Sequence, residues 1–287
     1  MDLQQLIMLV LQISILATVF TFGLRATTAD VLHLVRRPSL LGRSLLAMFV
    51  IMPLLAFVLV RGFAFTPGLE IGLLAIAIAP IPPLLPGRVA KAGGQGAYGI
   101  ALMATIGLLS VVIVPLAVHV LGALFGREIE MPFSTIAMIV FKTIVAPLLA
   151  GIVVRAFLPT VADRIVGPIA MIAKVLLAGA VLALLAGSLS AIWAAIGSGN
   201  VLALAIFVII GLAAGHLLGG PDPESRIVLA LSTSCRHPAI AFTIASVNFP
   251  QQRFGGIVLT YVLLGLILGF PYVMLMRRKA ARAAAVV

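Results

Sequence analysis

The chain has 287 residues, 63% of them hydrophobic and 9% charged, with 19 Lys and Arg against 8 Asp and Glu for a net charge of +11. A soluble domain carries roughly 45–50% apolar and about 25% charged residues, so a water-soluble enzyme is excluded. About 181 apolar positions, at ~20 per bilayer crossing, suffice for about nine crossings and leave little length for a soluble domain.

Hydropathy and helix breakers predict nine spans, at 3–24, 40–61, 68–93, 97–125, 132–157, 164–187, 200–218, 223–247 and 254–276. The first run has no basic flank before it and no small-residue cleavage site after it, so it reads as a retained span with Met1 as the mature start. Short links carry turn residues, among them Arg36-Arg37-Pro38-Ser39, Thr66-Pro67-Gly68, Gly126-Arg127-Glu128, Gly197-Ser198-Gly199-Asn200 and Gly219-Gly220-Pro221-Asp222-Pro223. The charges sit between apolar runs rather than on one face, which argues against nucleic acid as a partner and for membrane lipid. With the N-terminus outside, thirteen basic residues fall on the cytoplasmic side, and Arg61, Arg127 and Arg253 on the other. The expected location is a bacterial inner membrane, with the C-terminus cytoplasmic and Arg277-Arg278-Lys279 as an anchor at anionic lipid. A lone Cys235 permits no internal disulfide. The pair Gly211 and Gly215 is a small-xxx-small packing signal.

The third and eighth spans differ from the rest. The third contains Pro80, Pro82, Pro83 and Pro86, which cannot continue a helix because proline lacks the amide donor. The eighth is interrupted by Ser232-Thr233-Ser234-Cys235-Arg236-His237-Pro238. Non-helical backbone at this depth survives only where it lines a cavity or is buried in protein. Glu70 and Glu224 are 154 residues apart, an offset that carries Pro82 onto Arg236. The two spans are five apart in order and so run in opposite directions. An all-α polytopic protein with an inverted repeat is expected: 1–126 with four spans and the first helix absent, then 127–287 with five. Broken helices meeting near the midplane mark a secondary transporter.

These features resemble the bile acid:sodium symporter family. Phe22-Gly23-Leu24 with Arg36-Arg37-Pro38 is similar to its first repeat. The run from Ile139 to Gly151, with Lys142 and Pro147, is similar to its middle helix, and Ser232 to Ala241 falls where the family has its second crossover. The resemblance implies a core domain, about 68–125 and 200–276, that holds two crossed broken helices and rocks against a panel domain, about 3–61 and 132–187. It also implies sodium ligands around the crossover. Here the first crossover offers prolines and leucines, Ser232, Thr233 and Ser234 replace a glutamate, and Arg236-His237 replaces a Gln-Asn pair. A guanidinium 5 Å from a cation costs about 3 kcal/mol even at an effective dielectric of 20, which argues against two-sodium coupling.

Arg236 is the candidate cation for a small organic anion of the bile-acid or carboxylate type, through a two-pronged contact. The alternative is that it packs against carbonyls freed by the break. Helix N-termini near Pro83 and Pro238 add amide donors. Substrate candidates are Arg236, His237, Ser234, Thr233, Pro82 and Pro83, with Pro80, Pro86 and Pro238 marking the breaks; coupling candidates for Na+ or H+ are His237, Ser232 and Thr105. Arg88 supports the same field or marks the cytoplasmic end. Lys142 and Lys174 lie at mid-depth, between a cavity role and snorkelling, with snorkelling favoured for Lys174. No nucleotide, cofactor or metal motif occurs. The function expected is secondary-active transport of organic anions, with a proton-coupled or uncoupled carrier or a passive channel as alternatives. An intramembrane enzyme built on Ser234, Cys235 and His237 lacks an acid at the same depth to orient the histidine.

Overall fold

The computed structural model describes residues 3–26, 30, 33, 34, 36–125, 131–195, 199–252 and 254–284, and the regular elements among them are all helical. They are α1 (Leu3–Arg25), α2 (Pro38–Gly62), α3 (Pro67–Ile78), α4 (Leu85–Ala92), α5 (Gly96–Phe125), α6 (Phe133–Phe157), α7 (Pro159–Gly187), α8 (Leu189–Ala195), α9 (Asn200–Leu218), α10 (Pro223–Ser234), α11 (Pro238–Asn248) and α12 (Gly255–Ala284). Arg127, Arg253 and the links at 126–130 and 196–198 lie outside the described residues.

Eight stretches are long and apolar enough to cross a membrane, the eighth expected span (α10 with α11) counted as one. The third expected crossing is two shorter helices, α3 and α4. The least apolar of the eight, Pro223–Asn248 with mean hydropathy 1.3, is also the most buried, at 72% of its window. Its polar residues are tolerated because protein, not lipid, surrounds them.

Both interruptions follow from local chemistry. Thr66 and Asp222 cap their helices, accepting from the amides of Leu69 at 3.4 Å and Ser225 at 2.9 Å, and a proline occupies the first helical position of each. Each helix then runs 12 residues. Residues before proline are pushed to extended backbone, so α3 stops at Ala79 (ψ 147°) and α11 begins after His237 (ψ 105°). Burial pushes the Asp222 carboxyl up, but the hydroxyl and amide of Ser225 outweigh this and hold it below the usual carboxylate range.

The helix ends correct the repeat register. Pro67 and Pro223 open equivalent helices, so the offset is 156 rather than 154 residues, and it superposes Pro82 on Pro238 and Pro115 on Pro271. Arg236 is therefore the counterpart of Pro80, not of Pro82. α3 packs on α11 and α4 packs on α10. First half against second half in both pairs requires the two interrupted spans to run antiparallel and to meet at their breaks.

The helices form two packing groups. α1, α6 and α7 pack on one another, while α2 to α5 and α9 to α12 form the second group. The groups touch through α5 on α6 and α8 on α12. The expected panel also contained residues 40–61; instead α2 packs against α3 and α9, within the group that holds the breaks. Hydropathy identifies a span but not its neighbours.

Two contacts need glycine. A Cβ at Gly23 or Gly151 would overlap backbone of the other helix, so α1 and α6 cross glycine on glycine. A Cβ at Gly215 would overlap the carbonyl of Leu229, so the small-xxx-small signal serves the intramolecular α9–α10 contact. We expect Gly215→Ala to lower stability by about 1–3 kcal/mol, read as a fall in melting temperature in detergent. Gly179→Ala, where a Cβ meets nothing within 4 Å, should leave it unchanged.

Candidate functional site

An unwound segment inside a membrane must place its carbonyls and amides on protein partners or against a cavity, since lipid offers none. At the second break, the Tyr261 hydroxyl accepts from the Arg236 amide at 2.7 Å and donates to the Ser234 carbonyl at 2.8 Å. The His237 amide donates to the carbonyl of Pro80 in the first break at 2.7 Å. In the first break the Leu85 amide donates to the Pro82 carbonyl at 3.1 Å. One tyrosine and one cross-break bond thus tie the two interruptions together.

The Arg236 guanidinium completes this arrangement. α2 contains a π turn, Leu46–Ile51, in which the Met52 amide reaches the Ala47 carbonyl. The next donor in that register would be Pro53, which has no N–H, so the Met48 carbonyl is left open. Likewise Pro83 has no amide for the Ala79 carbonyl. Arg236 answers both: Nη2 donates to Met48 at 2.7 Å and Nη1 approaches the Ala79 carbonyl at 3.5 Å. The residue is 1% exposed. Of the two expectations for Arg236, a two-pronged grip on a carboxylate or packing against freed carbonyls, its contacts are those of the second. Its guanidinium is drawn into the protein because α2 and the end of α3 each bring an open carbonyl there.

His237 is corrected in the same way. Its Nδ1 accepts from the Ile240 amide at 3.4 Å, which caps α11. A proton on Nδ1 would remove that cap. Nε2 is buried and has no hydrogen-bond partner among the described residues. His237 does not line the cavity described next.

Between the two packing groups, beside the breaks, lies a cavity of about 760 Å³. One wall is α1 and α7, with Thr18, Thr21, Phe22, Lys174, Leu177 and Val181; the other is the break region, with Pro82, Pro86, Arg88, Ser234, Cys235, Pro238 and Tyr261. Arg25, Asp30 and Lys91 also line it. Lys91 sits at the end of α4, where its carbonyl accepts from Arg277. Arg88 is half-buried, one turn past the first break. Its Nη1 contacts the Cys235 sulfur at 3.4 Å and Nη2 donates to the Gly265 carbonyl at 3.1 Å. Five N–H donors belong to a guanidinium, so donors remain for a ligand.

Of the residues singled out from the sequence, Pro82, Pro86, Pro238, Ser234 and the edge of Arg236 line the cavity. Pro80, Pro83, Ser232 and Thr233 are buried and Thr105 is half-buried, and none of the five lines it. The Ser232 hydroxyl donates to the Val228 carbonyl at 2.6 Å, the bond one turn back that hydroxyls make in spans. Lys142 is exposed on α6 away from the cavity, whereas Lys174, assigned to snorkelling, faces into it. Sequence reasoning missed Tyr261 altogether and ranked Arg88 below Arg236. Pro53 one turn past a future π bulge was the available signal for the Met48 carbonyl.

Residues 12–192 match the model of the sodium bile acid symporter family. The chain is also 25% identical over 284 residues to a protein named "Probable sodium/metabolite cotransporter BASS5, chloroplastic" in Oryza sativa subsp. indica, and equally to its namesake in subsp. japonica. Each alignment covers 91% of this chain and 67% of the relative. With the model matching more than half of its length, the chain belongs to the sodium bile acid symporter family, a family of membrane transporters.

Proposed function

We propose that the chain is a secondary carrier that moves small organic anions by alternating access, its cavity opening toward the cytoplasm. The observation that carries this reading is the cavity's charge: among the described residues Arg25, Arg88, Lys91, Lys174 and the edge of Arg236 line it, against the carboxylate of Asp30. A cleft lined by one sign of charge with apolar walls concentrates counter-ions. Its volume of about 760 Å³ suits an organic molecule rather than a bare ion. The position between two helix groups, at the meeting of two antiparallel broken spans, is where inverted-repeat carriers bind substrate. The metabolite in the name of the rice relatives agrees with such a cargo. The basic ends of α1 and α4, and Arg277 and Arg278 of α12, share the side that lysine and arginine mark as cytoplasmic. This orientation would suit a bacterial cytoplasmic membrane.

Arg88 replaces Arg236 as the cation that meets substrate, because Arg236 is 1% exposed and turned to two carbonyls whereas Arg88 is half-buried and has donors left in the cavity. Arg236 itself holds a fixed positive charge among the carbonyl oxygens that a coupling cation would otherwise seek. We read it as a resident substitute for that ion, so transport should follow the gradient of the anion rather than that of sodium. The capping role of His237 argues against it as a proton carrier.

Binding is tested by the thermal stabilisation of purified protein with a panel of organic anions. An anion at about 100 times its Kd should stabilise the wild type by ~2.7 kcal/mol. Arg88→Gln should lose that stabilisation while keeping its helical circular dichroism. Stabilisation retained in this variant would remove Arg88 from the site.

Coupling is tested in proteoliposomes. Counterflow of the bound anion should persist without sodium, and counterflow distinguishes a carrier from a channel. Strict sodium dependence would overturn the resident-cation reading. Arg236→Gln should lower the melting temperature without anion, since Met48 and Ala79 would each lose a donor at ~1–3 kcal/mol.

A further inference from the structure

We propose that Lys174 is a specificity-determining residue which, facing Arg88 across the cavity, makes the carrier select organic anions bearing two acidic groups. The inference rests on the anion-carrier reading above and extends it to the class of substrate.

Lys174 is the sixteenth of the 29 residues of α7, half-way along a helix that crosses the membrane. Ala170, Lys174, Leu177 and Val181 line the cavity at spacings of four, three and four, which is one continuous helix face. Lys174 is the one charged residue of these four. Its ammonium has no ion-pair partner among the described residues. An ionisable side chain half-way along a span, without an ion-pair partner among the described residues and lining a cavity, is a functional residue by default.

The other cations divide by position. Arg25 is the last residue of α1 and Lys91 is next to last in α4, so both stand at the mouth with Asp30. Arg236 is 1% exposed and turned to the Met48 and Ala79 carbonyls. That leaves Arg88 and Lys174 as the inner cations. They belong to different packing groups, Arg88 to the group that holds the breaks and Lys174 to the α1–α6–α7 group. Closing the two groups around substrate expels water and lowers the local dielectric. A monoanion would then leave one cation enclosed without a partner, which is strongly unfavourable. A dianion neutralises both walls and bridges them, so closure favours a substrate with two acidic groups. Without substrate, the two cations repel and oppose closure.

The test compares straight-chain dicarboxylates of four to eight carbons with monocarboxylates of equal length, by thermal shift and by counterflow in proteoliposomes. Wild type should bind at least one dicarboxylate tenfold or more tighter than its monocarboxylate partner. Lys174→Gln should erase that preference by lowering dicarboxylate affinity and raising monocarboxylate affinity, whereas Lys174→Arg should keep it. Because Lys174 is exposed to the cavity, both variants should melt at the wild-type temperature without ligand. No preference in wild type, or a preference that survives Lys174→Gln, overturns the proposal while anion binding itself stands. Failure of wild type to bind either series overturns the anion-carrier reading with it.

Discussion

Backbone polar groups that lose their helical partners inside a membrane have no water to turn to, and the rest of this structure answers to that constraint. Prolines open the chain at 79–84, and Pro238 restarts it after Cys235–His237. The freed groups are met by Tyr261, by the bond from the His237 amide to Pro80, and by the Arg236 guanidinium. Each buried carbonyl left alone would cost ~1–3 kcal/mol, comparable to a sizeable fraction of a domain's whole stability. Arg236 is tolerated in the interior for this reason. Its charge lies against carbonyl oxygens freed by Pro53 and Pro83, residues distant in sequence that share the property of having no amide hydrogen.

Satisfying the breaks internally has a consequence for transport. The cation that looked most available is turned to backbone carbonyls, and in the reading proposed above recognition passes to side chains on the cavity wall. Arg88 stands one turn beyond the break with two of its contacts made, and Lys174 stands on the facing helix with none. The pinned crossover supplies a rigid wall, while α1 and α7 supply a wall from a separately packed group. A site divided between two bodies changes its electrostatics whenever the bodies move, so occupancy and conformation are linked through the charge balance of the cleft.

The architecture was legible in the sequence where the signal is periodic and local. Apolar runs of ~20 residues, proline clusters and turn residues between spans act within one turn or one span. They placed both interruptions and the opposed direction of the spans. The repeat offset was misjudged by two residues because Glu70 and Glu224 look equivalent by type, whereas the caps and first prolines define equivalence of backbone. The placement of α2 was misjudged because an apolar span carries no mark of which neighbour it touches. At the site, Arg236 was correctly set apart as anomalous, but its direction was not legible, since that depends on the Met48 carbonyl 188 residues away in sequence.

Composition and pattern alone determined that this chain crosses a membrane many times and is broken twice, because hydrophobic length and the missing amide of proline act without reference to any distant residue. Tertiary structure alone decided which cation is spent on the backbone and which faces the cavity. A guanidinium is drawn to whatever unpaired oxygens lie within its reach, and only the packing of α2, α3 and α10 brings those oxygens to Arg236 and leaves Arg88 and Lys174 open.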